Sequence, residues 1–592
     1  MADGEGSGGA YREFKALAEA ADRKFARARD LPLYGGGDHH SRKAFKAYTR
    51  LWRLQQERRR ELVAGGLRRW EIGEVASRIG QLYYARYLRT AEPRSLVGAY
   101  VFYEAIYSRG YFAAAGQVGG SDKHQGLLIR YKELRFIARF LVVAMLMRRA
   151  EAVDHLAGRL RSLVEETKSA YPKTNFKEWK QVLQELGKFL KADGAYKGSR
   201  SLRYDNLFDS FPSNLASLAR FHSRRVLKLK EAVLTSYRRN EVKFTELTLD
   251  TFRMLQCLEW EPTGSYQIAA KELTENGTIS DQSGPSGLID IHLSSEISDG
   301  SLPSNPQKAV VYHPTVSHLL AVLATVCEEL SQDSILLVYL SASGFSEQNI
   351  TSQKYASSSA YTRATSVYPI DKSNSNISSD NHLWLGPRGS GGPNNLYPED
   401  LIPFTRYPLF LVIDSENSHA FKGIHNAEKG EPAALLLSPR IASAMPGAES
   451  TGNGSQFTYF LTAPMQAFCQ LAGITSEIDS DTYANAETIL FSALEQYEGI
   501  LSTSVGLNNV WGQILPDPFL RRLILRFIFC RAVIFYFHPE ENGEHMPTCL
   551  PSLPESVSPK SEAIMSPILE LAENLVVSER FHFRHSIRNN KK

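Results

Sequence analysis

Residues 409–413 (LFLVI) and 433–437 (AALLL) are two short runs without a polar residue, each closed by a polar turn. A strand with one wet face alternates apolar and polar side chains. A run that does not alternate belongs to a strand covered on both sides, as in a parallel sheet flanked by helices. Between the runs stands Asp414-Ser415-Glu416-Asn417-Ser418, at the carboxyl end of the first strand. That edge is where open α/β sheets place what they bind. Two similar runs lie upstream, 309–312 (AVVY) and 334–340 (SILLVYL), separated by an apolar stretch at helical spacing over 315–330 that Pro314-Thr315 would start. Strand, helix and strand in that order predict a mainly parallel sheet.

Towards the N-terminus the period is that of helices. Phe14, Leu17, Ala18, Ala21 and Phe25 share one face of a stretch over 12–29. Phe45, Tyr48, Leu51, Trp52 and Leu54 mark a second helix, which carries Arg58-Arg59-Arg60 and stops at Gly65-Gly66. Residues 67–112 read as a helical pair turning at Pro93. Its Gly80-x2-Tyr83 and Ala99-x3-Tyr103 spacing is like a tetratricopeptide unit with a lengthened turn, although no 34-residue period recurs. A further pair fits 127–150 and 152–166, and 241–260 reads as a helix leading out.

At 592 residues the chain exceeds a single core, so several domains are expected. Residues 1–10 read as a disordered Gly-rich tail and 11–262 as a basic all-α, TPR-like domain of helical hairpins. Residues 263–306, crowded with Ser, Gly, Pro and acids, read as a linker or insertion with the boundary near 300. An α/β domain fills 307–580, with a Ser/Asn/Gly-rich insertion at 345–395 that is expected to be disordered. Helices are expected over 455–472, 483–503, 517–537 and 561–577, a Pro-rich loop over 547–559, and a basic tail over 581–592. The fold class is thus multidomain, α followed by α/β.

The formal net charge of +4 conceals a division: residues 1–250 carry 47 Lys and Arg against 28 Asp and Glu, and the remainder 21 against 36. Either the first half meets something acidic, or the halves face each other. Arginines are interleaved with Tyr83, Tyr84, Tyr87, Tyr100, Phe102, Tyr103, Tyr107, Tyr111 and Phe112. A nucleic-acid reading stacks bases on these rings. At helical spacing the rings also suit the core of stacked helices, with arginines on the wet face, and this is the favoured reading. Arg58, Arg59, Arg60, Arg68 and Arg69 are the candidate contacts for a partner or a nucleic acid. Arg224-Arg225, Lys228, Lys230 and Arg238-Arg239 read as solvated surface.

The five cysteines, Cys257, Cys327, Cys469, Cys530 and Cys549, have no metal-site spacing and suit reduced, buried thiols of an intracellular protein. The N-terminus has no apolar core region, so no signal peptide is expected. No membrane span is expected either. The run 140–147 is too short, and Arg526 and Arg531 interrupt 523–537, which suits a buried helix instead. No phosphate loop, dinucleotide fingerprint, nucleophile elbow or zinc-protease motif occurs in context. A Cys–His pair from His313 or His419 with Cys327 or Cys469 is conceivable, but both cysteines fall in apolar helices, where a thiol is structural. Asp414 could act as a general base, although a carboxylate at a strand end more often caps the following helix. No cofactor is expected.

Several segments resemble the SCAI (suppressor of cancer cell invasion) family, as a plant-like or divergent homologue. They are DLPLYG (30–35), LWRLQQERR (51–59), LRRWEIGEVASRIGQLYYARYLRT (67–90), VKFTELTLDTFRMLQCLEWEP (242–262), SILLVYLSASG (334–344), LYPEDLIPFTRYPLFLVIDSENS (396–418) and LRRLILRFIFC (520–530). The resemblance implies a nuclear protein, also present in the cytoplasm, without known catalytic activity. Such a protein binds transcription factors, or chromatin and DNA-repair proteins, represses targets and acts in the double-strand-break response. Animal members carry D-S-S-N-S where this chain has Asp414-Ser415-Glu416-Asn417-Ser418. That pattern fits von Willebrand A-type metal sites, and Glu416 here replaces the first metal-binding serine. A degenerate metal site at Asp414, Glu416 and Ser418 is therefore a minor alternative, beside direct nucleic-acid binding through the basic half.

Overall fold

In the computed structural model the four apolar runs are strands, and a further strand that their pattern did not reveal runs through the middle of the sheet. The structure describes residues 3–30, 37–112, 123–193, 200–221, 225–238, 241–261, 304–344, 381–388, 392–426, 431, 433–440, 454–474, 478–538 and 545–583. They divide into two units, Met1–Lys188 with Glu259–Ala309, and Phe189–Leu258 with Val310–Lys592.

The first unit is helical: α1 (Asp3–Asp30), α2 (Gly37–Glu57), α3 (Arg59–Ala64), α4 (Arg69–Thr90), α5 (Pro93–Ser108), α6 (Lys123–Leu146) and α7 (Ala150–Ala170), with α8 (Lys177–Asp193) leading out. Consecutive helices pack as pairs, α1 with α2, α4 with α5 and α6 with α7, which is the hairpin arrangement expected. The aromatic residues fill the space between them. Trp52 lies 5.7 Å from Phe102, Tyr83 stacks on Phe102 at 6.0 Å, and Tyr103 meets Phe136 at 5.9 Å. Tyr83, Tyr87, Tyr100, Phe102, Tyr103, Tyr111 and Phe112 are all buried, so these rings are core. The expected tail is corrected at its end, because α1 already begins at Asp3. Ala10, Phe14 and Ala21 anchor the amphipathic face, and once a helix is nucleated each further residue adds a hydrogen bond, which carries it into the Gly/Ser segment against the poor helix propensity of glycine.

The second unit holds a six-stranded sheet in the order β10-β9-β8-β5-β1-β4. Its elements in chain order are α9 (Pro212–Leu215), β1 (Lys228–Tyr237), the hairpin β2 (Lys243–Phe244) and β3 (Leu247–Thr248), α10 (Leu249–Cys257), β4 (Gln307–Tyr312), α11 (Val316–Glu329) and β5 (Ser334–Ala342). A second hairpin, β6 (Leu383–Trp384) and β7 (Asn395–Leu396), leads to α12 (Pro398–Leu401), β8 (Leu409–Asp414) and β9 (Ala433–Leu437). The last part comprises α13 (Gln456–Thr462), α14 (Pro464–Leu471), α15 (Ser480–Thr503), α16 (Asn509–Ile514), α17 (Pro518–Phe537), β10 (Thr548–Leu550) and α18 (Glu562–Asn574). Strands β1, β5, β8 and β9 run parallel and β10 antiparallel. Read in chain order, β4-β1-β5-β8-β9 is the 2-1-3-4-5 order of a doubly wound sheet, whose switch point lies between β1 and β5.

Several boundaries differ from the sequence reading. Strand β1 falls inside the 11–262 stretch read as all-α, and 189–258 belongs to the second unit rather than the first. Lys228 and Lys230 are exposed and Glu231 half-buried at the start of the strand, where a register shift interrupts the pairing, so its fully buried run is only 232–236. The helix expected from 241 starts at Leu249, where the Thr248 hydroxyl accepts from Thr251 N–H at 3.1 Å. The hairpin β2–β3 occupies the residues before it, with Thr245 at φ +58° making the turn. Disorder is corrected for 381–388 and 392–395 of the insertion, where β6 pairs with β7 and buries Leu383 and Trp384, and 345–380 lie outside the described residues. β10 lies in the Pro-rich loop, and Pro464 divides the helix expected over 455–472. Most of 263–306, and the 581–592 tail beyond 583, lie outside the described residues.

Helix α17 is buried almost throughout. Its buried arginines, Arg521, Arg522 and Arg526, are engaged internally, Arg521 by Glu498 at 3.2 Å. Arg522 donates to Asp209 at 3.1 Å and to the Arg203 carbonyl at 3.0 Å, and Arg526 donates to the Leu461 and Thr462 carbonyls at 3.2 and 2.7 Å. These last two are carbonyls of the final turn of α13, which a helix leaves without intrahelical partners. Burial lowers the Arg526 pKa to about 10, with Arg522 adding to the effect. Among the described residues no helix is long and apolar enough to cross a membrane.

Candidate functional site at the carboxyl edge of the sheet

Parallel strands end together, so the residues that follow β1, β5 and β8 meet at one edge. Ser341 pairs with Asp414 in the β5–β8 register, and Ser236 with Ser341 in the β1–β5 register. Arg238 follows β1 by one residue and turns its side chain across this edge. Its Nη2 donates to Asp414 Oδ1 at 2.5 Å and to the Asp414 carbonyl at 2.9 Å. Its Nε donates to the Ser341 hydroxyl at 3.1 Å, and Nη1 lies 3.5 Å from Glu416 Oε1. The other Asp414 oxygen, Oδ2, accepts from the Thr458 hydroxyl of α13 at 2.6 Å, and Thr458 lies 2.7 Å from the Tyr339 hydroxyl. The Asp414 side chain is 3% exposed. Burial opposes the charge on Arg238, but Asp414 and Glu416 outweigh it and raise the guanidinium pKa.

The rest of the 414–418 turn is tied to the segments that follow β5 and β9 and to the one that precedes β6. Glu416 Oε2 accepts from Gly344 N–H at 2.9 Å. Asn417 Nδ2 donates to the Gly344 and His382 carbonyls at 2.7 and 3.1 Å. Ser415 N–H donates to Ser438 Oγ at 2.9 Å, and Ser418 Oγ donates to the Ser438 carbonyl at 2.7 Å. The cap expected from Asp414 is thus corrected, because its carboxylate faces Arg238 and Thr458 instead of the turn that follows. Asp414, Glu416 and Ser418 share one loop, yet Asp414 and Glu416 face the Arg238 guanidinium while Ser418 Oγ turns away to the Ser438 carbonyl. Among the described residues no three His, Cys, Asp or Glu side chains converge as a metal-holding group.

A second carboxylate feels the same charges. Both oxygens of Asp250, buried in α10, accept from Ser455 N–H at 2.9 and 3.1 Å, which fixes the start of α13. Burial and the nearby Asp414 push the Asp250 carboxyl up to about 6, with Arg238 and Arg253 opposing. Beside this network, Glu241 Oε2 accepts the Arg238 backbone N–H at 3.1 Å, and Glu241 Oε1 lies 2.8 Å from His313 Nε2. The His313 ring stacks on Tyr312 at 3.8 Å. His313 is therefore engaged by Glu241 and Tyr312. Burial pushes Cys327 and Cys469 up to about 12 each, the reverse of what a nucleophilic thiol needs. All five cysteines are free and buried, as expected.

The candidate arginines of the first unit divide. Arg58 is neutralised by Glu61 at 2.7 Å and Glu13 at 3.0 Å. Arg69 donates to the Arg109 carbonyl at 2.5 Å and lies 5.7 Å from the Tyr111 ring. Arg60 and Arg68 are exposed and Arg59 half-buried. Lys43, Lys46, Arg50 and Arg53 were not singled out from the sequence. They form an exposed stripe along α2, and their i, i+3, i+7, i+10 spacing was the available signal. Arg238 was missed because β1 was missed; the signal was its position just after a buried apolar run. Thr458 and Asp250 carried no local signal at all.

A sequence model of the family described as "Protein SCAI" matches residues 16–540. The human Protein SCAI is 33% identical over 585 residues, covering 96% of this chain and 89% of its own. The mouse Protein SCAI aligns to the same extent at the same identity. The Dictyostelium discoideum Protein SCAI homolog is 29% identical over 711 residues, covering 96% and 90%. No solved structure matches the chain.

Proposed function

The chain belongs to the SCAI family, and from that premise we propose that it is a nuclear transcriptional cofactor of corepressor type, acting by holding protein partners rather than by turning over a substrate. The partners are transcription factors, or chromatin and DNA-repair proteins, with a role in the double-strand-break response. One observation carries the non-catalytic part of this reading. The edge at which a doubly wound sheet takes its ligand is spanned by Arg238, whose guanidinium nitrogens face Asp414, Ser341 and Glu416. The test is affinity purification of the tagged full chain from nuclei, with partners identified by mass spectrometry. Recovery of sequence-specific transcription factors or break-repair proteins is expected. A chain that stays outside the nucleus and recovers neither would sink the reading.

A second reading is favoured by the stripe Lys43, Lys46, Arg50 and Arg53 on the exposed face of α2. Cations along one helix face suit a polyanionic strand, and such binding weakens steeply with salt. Here the expected result is loss of DNA or RNA affinity between low and physiological salt, and a shallower salt slope when Lys43, Lys46 and Arg50 are changed to Glu. Absence of affinity at low salt ends it.

A further inference from the structure

We propose that the switch-point crevice is a guanidinium-binding site whose occupant is the chain's own Arg238, a built-in ligand that clasps three strand ends and keeps the crevice shut. The acceptors come from two segments far apart in sequence, the end of β5 and the turn after β8. Asp414 supplies Oδ1 at 2.5 Å and its carbonyl at 2.9 Å, Ser341 its hydroxyl at 3.1 Å, and Glu416 Oε1 at 3.5 Å. They surround all three guanidinium nitrogens, so the cradle matches a planar fork rather than a point charge. The cradle is built as a ligand site is built. Asp414 is buried, its second oxygen is held by Thr458, and Glu416 is tied by Gly344 N–H. Its backing is as fixed, since the Arg238 N–H is anchored on Glu241 Oε2 at 3.1 Å. The arginine arrives on one of the two strands that border the switch point, as the carboxylates arrive on β8. A strand end with two carboxylates and no resident cation would repel itself, and Asp250 nearby would add a third charge. The guanidinium removes that repulsion without any external ion.

The experiment is thermal unfolding of the full chain and of Arg238→Ala, each with methylguanidinium, methylammonium or calcium chloride at matched ionic strength. Arg238→Ala is expected to melt several degrees below the wild type. Methylguanidinium at millimolar concentration should restore part of the loss saturably, in Arg238→Ala but not in the double variant Arg238→Ala/Asp414→Asn. Equal rescue by methylammonium or calcium would overturn the guanidinium assignment. A melting temperature unchanged by Arg238→Ala, or a loss that methylguanidinium leaves untouched, would overturn the site itself. If Arg238→Ala does not fold, Arg238→Lys decides. It keeps the charge but not the fork, and is expected to melt below the wild type; an unchanged melting temperature overturns the proposal.

Discussion

Gly80 lies under the ring of Tyr103. A Cβ at residue 80 would come within 2.7 Å of the ring edge, and a Cβ at Gly98 within 3.0 Å of Tyr83. The two glycines let α4 and α5 approach until each helix receives a tyrosine of the other. Gly80→Ala is therefore expected to destabilise the helical unit by about 1–3 kcal/mol, the cost of overpacking a core that has no room to give. Tyr103 is fully buried and cannot swing aside. Gly158, on the exposed face of α7, meets nothing within 4 Å. The same change there should stabilise by about 0.5–1 kcal/mol through helix propensity alone. Urea unfolding of both variants checks the pair, and opposite signs are expected.

The contrast shows where local pattern suffices. The runs at 334–340, 409–413 and 433–437 were legible as strands because both faces of each are covered, so every position but Ser334 is apolar or aromatic. Strand β1 is as much an interior strand, yet the charged residues Lys228, Lys230 and Glu231 open it and hide it. With β1 went Arg238, which read as one of a pair of surface cations. Asp414 was visible as a strand end. What it does was not, because its partners stand 176 residues before it and 44 after it. Long-range hydrogen bonding leaves no periodic trace, whereas the burial of Tyr83, Phe102 and Tyr103 did.

Raised carboxyl pKa values give the α/β unit a stability that falls with pH. Burial, then repulsion from Glu329, pushes Glu231 up to about 7. A carboxyl whose folded pKa lies above its unfolded value near 4.5 binds its proton more tightly when folded. Its stabilisation is complete below about pH 4.5 and is lost as the pH rises through 7. Glu231→Gln removes that titration. The variant is expected to gain stability over the wild type at pH 8 and to show no such gain at pH 4.5. Denaturant unfolding at the two pH values reads the difference, and a gain of equal size at both would refute the assignment.

Val576 is 89% exposed and sits at φ +58° just beyond α18. Its N–H donates to the Glu573 carbonyl at 3.0 Å, and Val577 N–H to the Ala572 carbonyl at 2.8 Å. This is the helix-ending turn in which glycine is the usual residue. A β-branched side chain there costs roughly 1–2 kcal/mol of backbone strain, against which burial contributes nothing. Val576→Gly should relieve the strain, and after the added freedom of the unfolded chain the net gain is expected to be up to about 1 kcal/mol. A rise in the melting temperature checks it.

Lys308, at the start of β4, and Glu259 form an ion pair with both side chains out of solvent, 0% and 4% exposed, at 3.4 Å. Tyr87 donates its hydroxyl to the same Glu259 oxygen at 2.6 Å. Two charges taken out of water add little to stability as a pair, because desolvation offsets their attraction, but removal of one leaves the other buried against its compensation. Lys308→Met should therefore cost about 3–5 kcal/mol. In Lys308→Met/Glu259→Gln no lone charge remains and Tyr87 keeps an acceptor, so the double variant should be more stable than Lys308→Met alone. That inversion distinguishes a charge effect from lost packing. If packing of the lysine stem dominated, the two substitutions would add, and the double variant would be the least stable of the set.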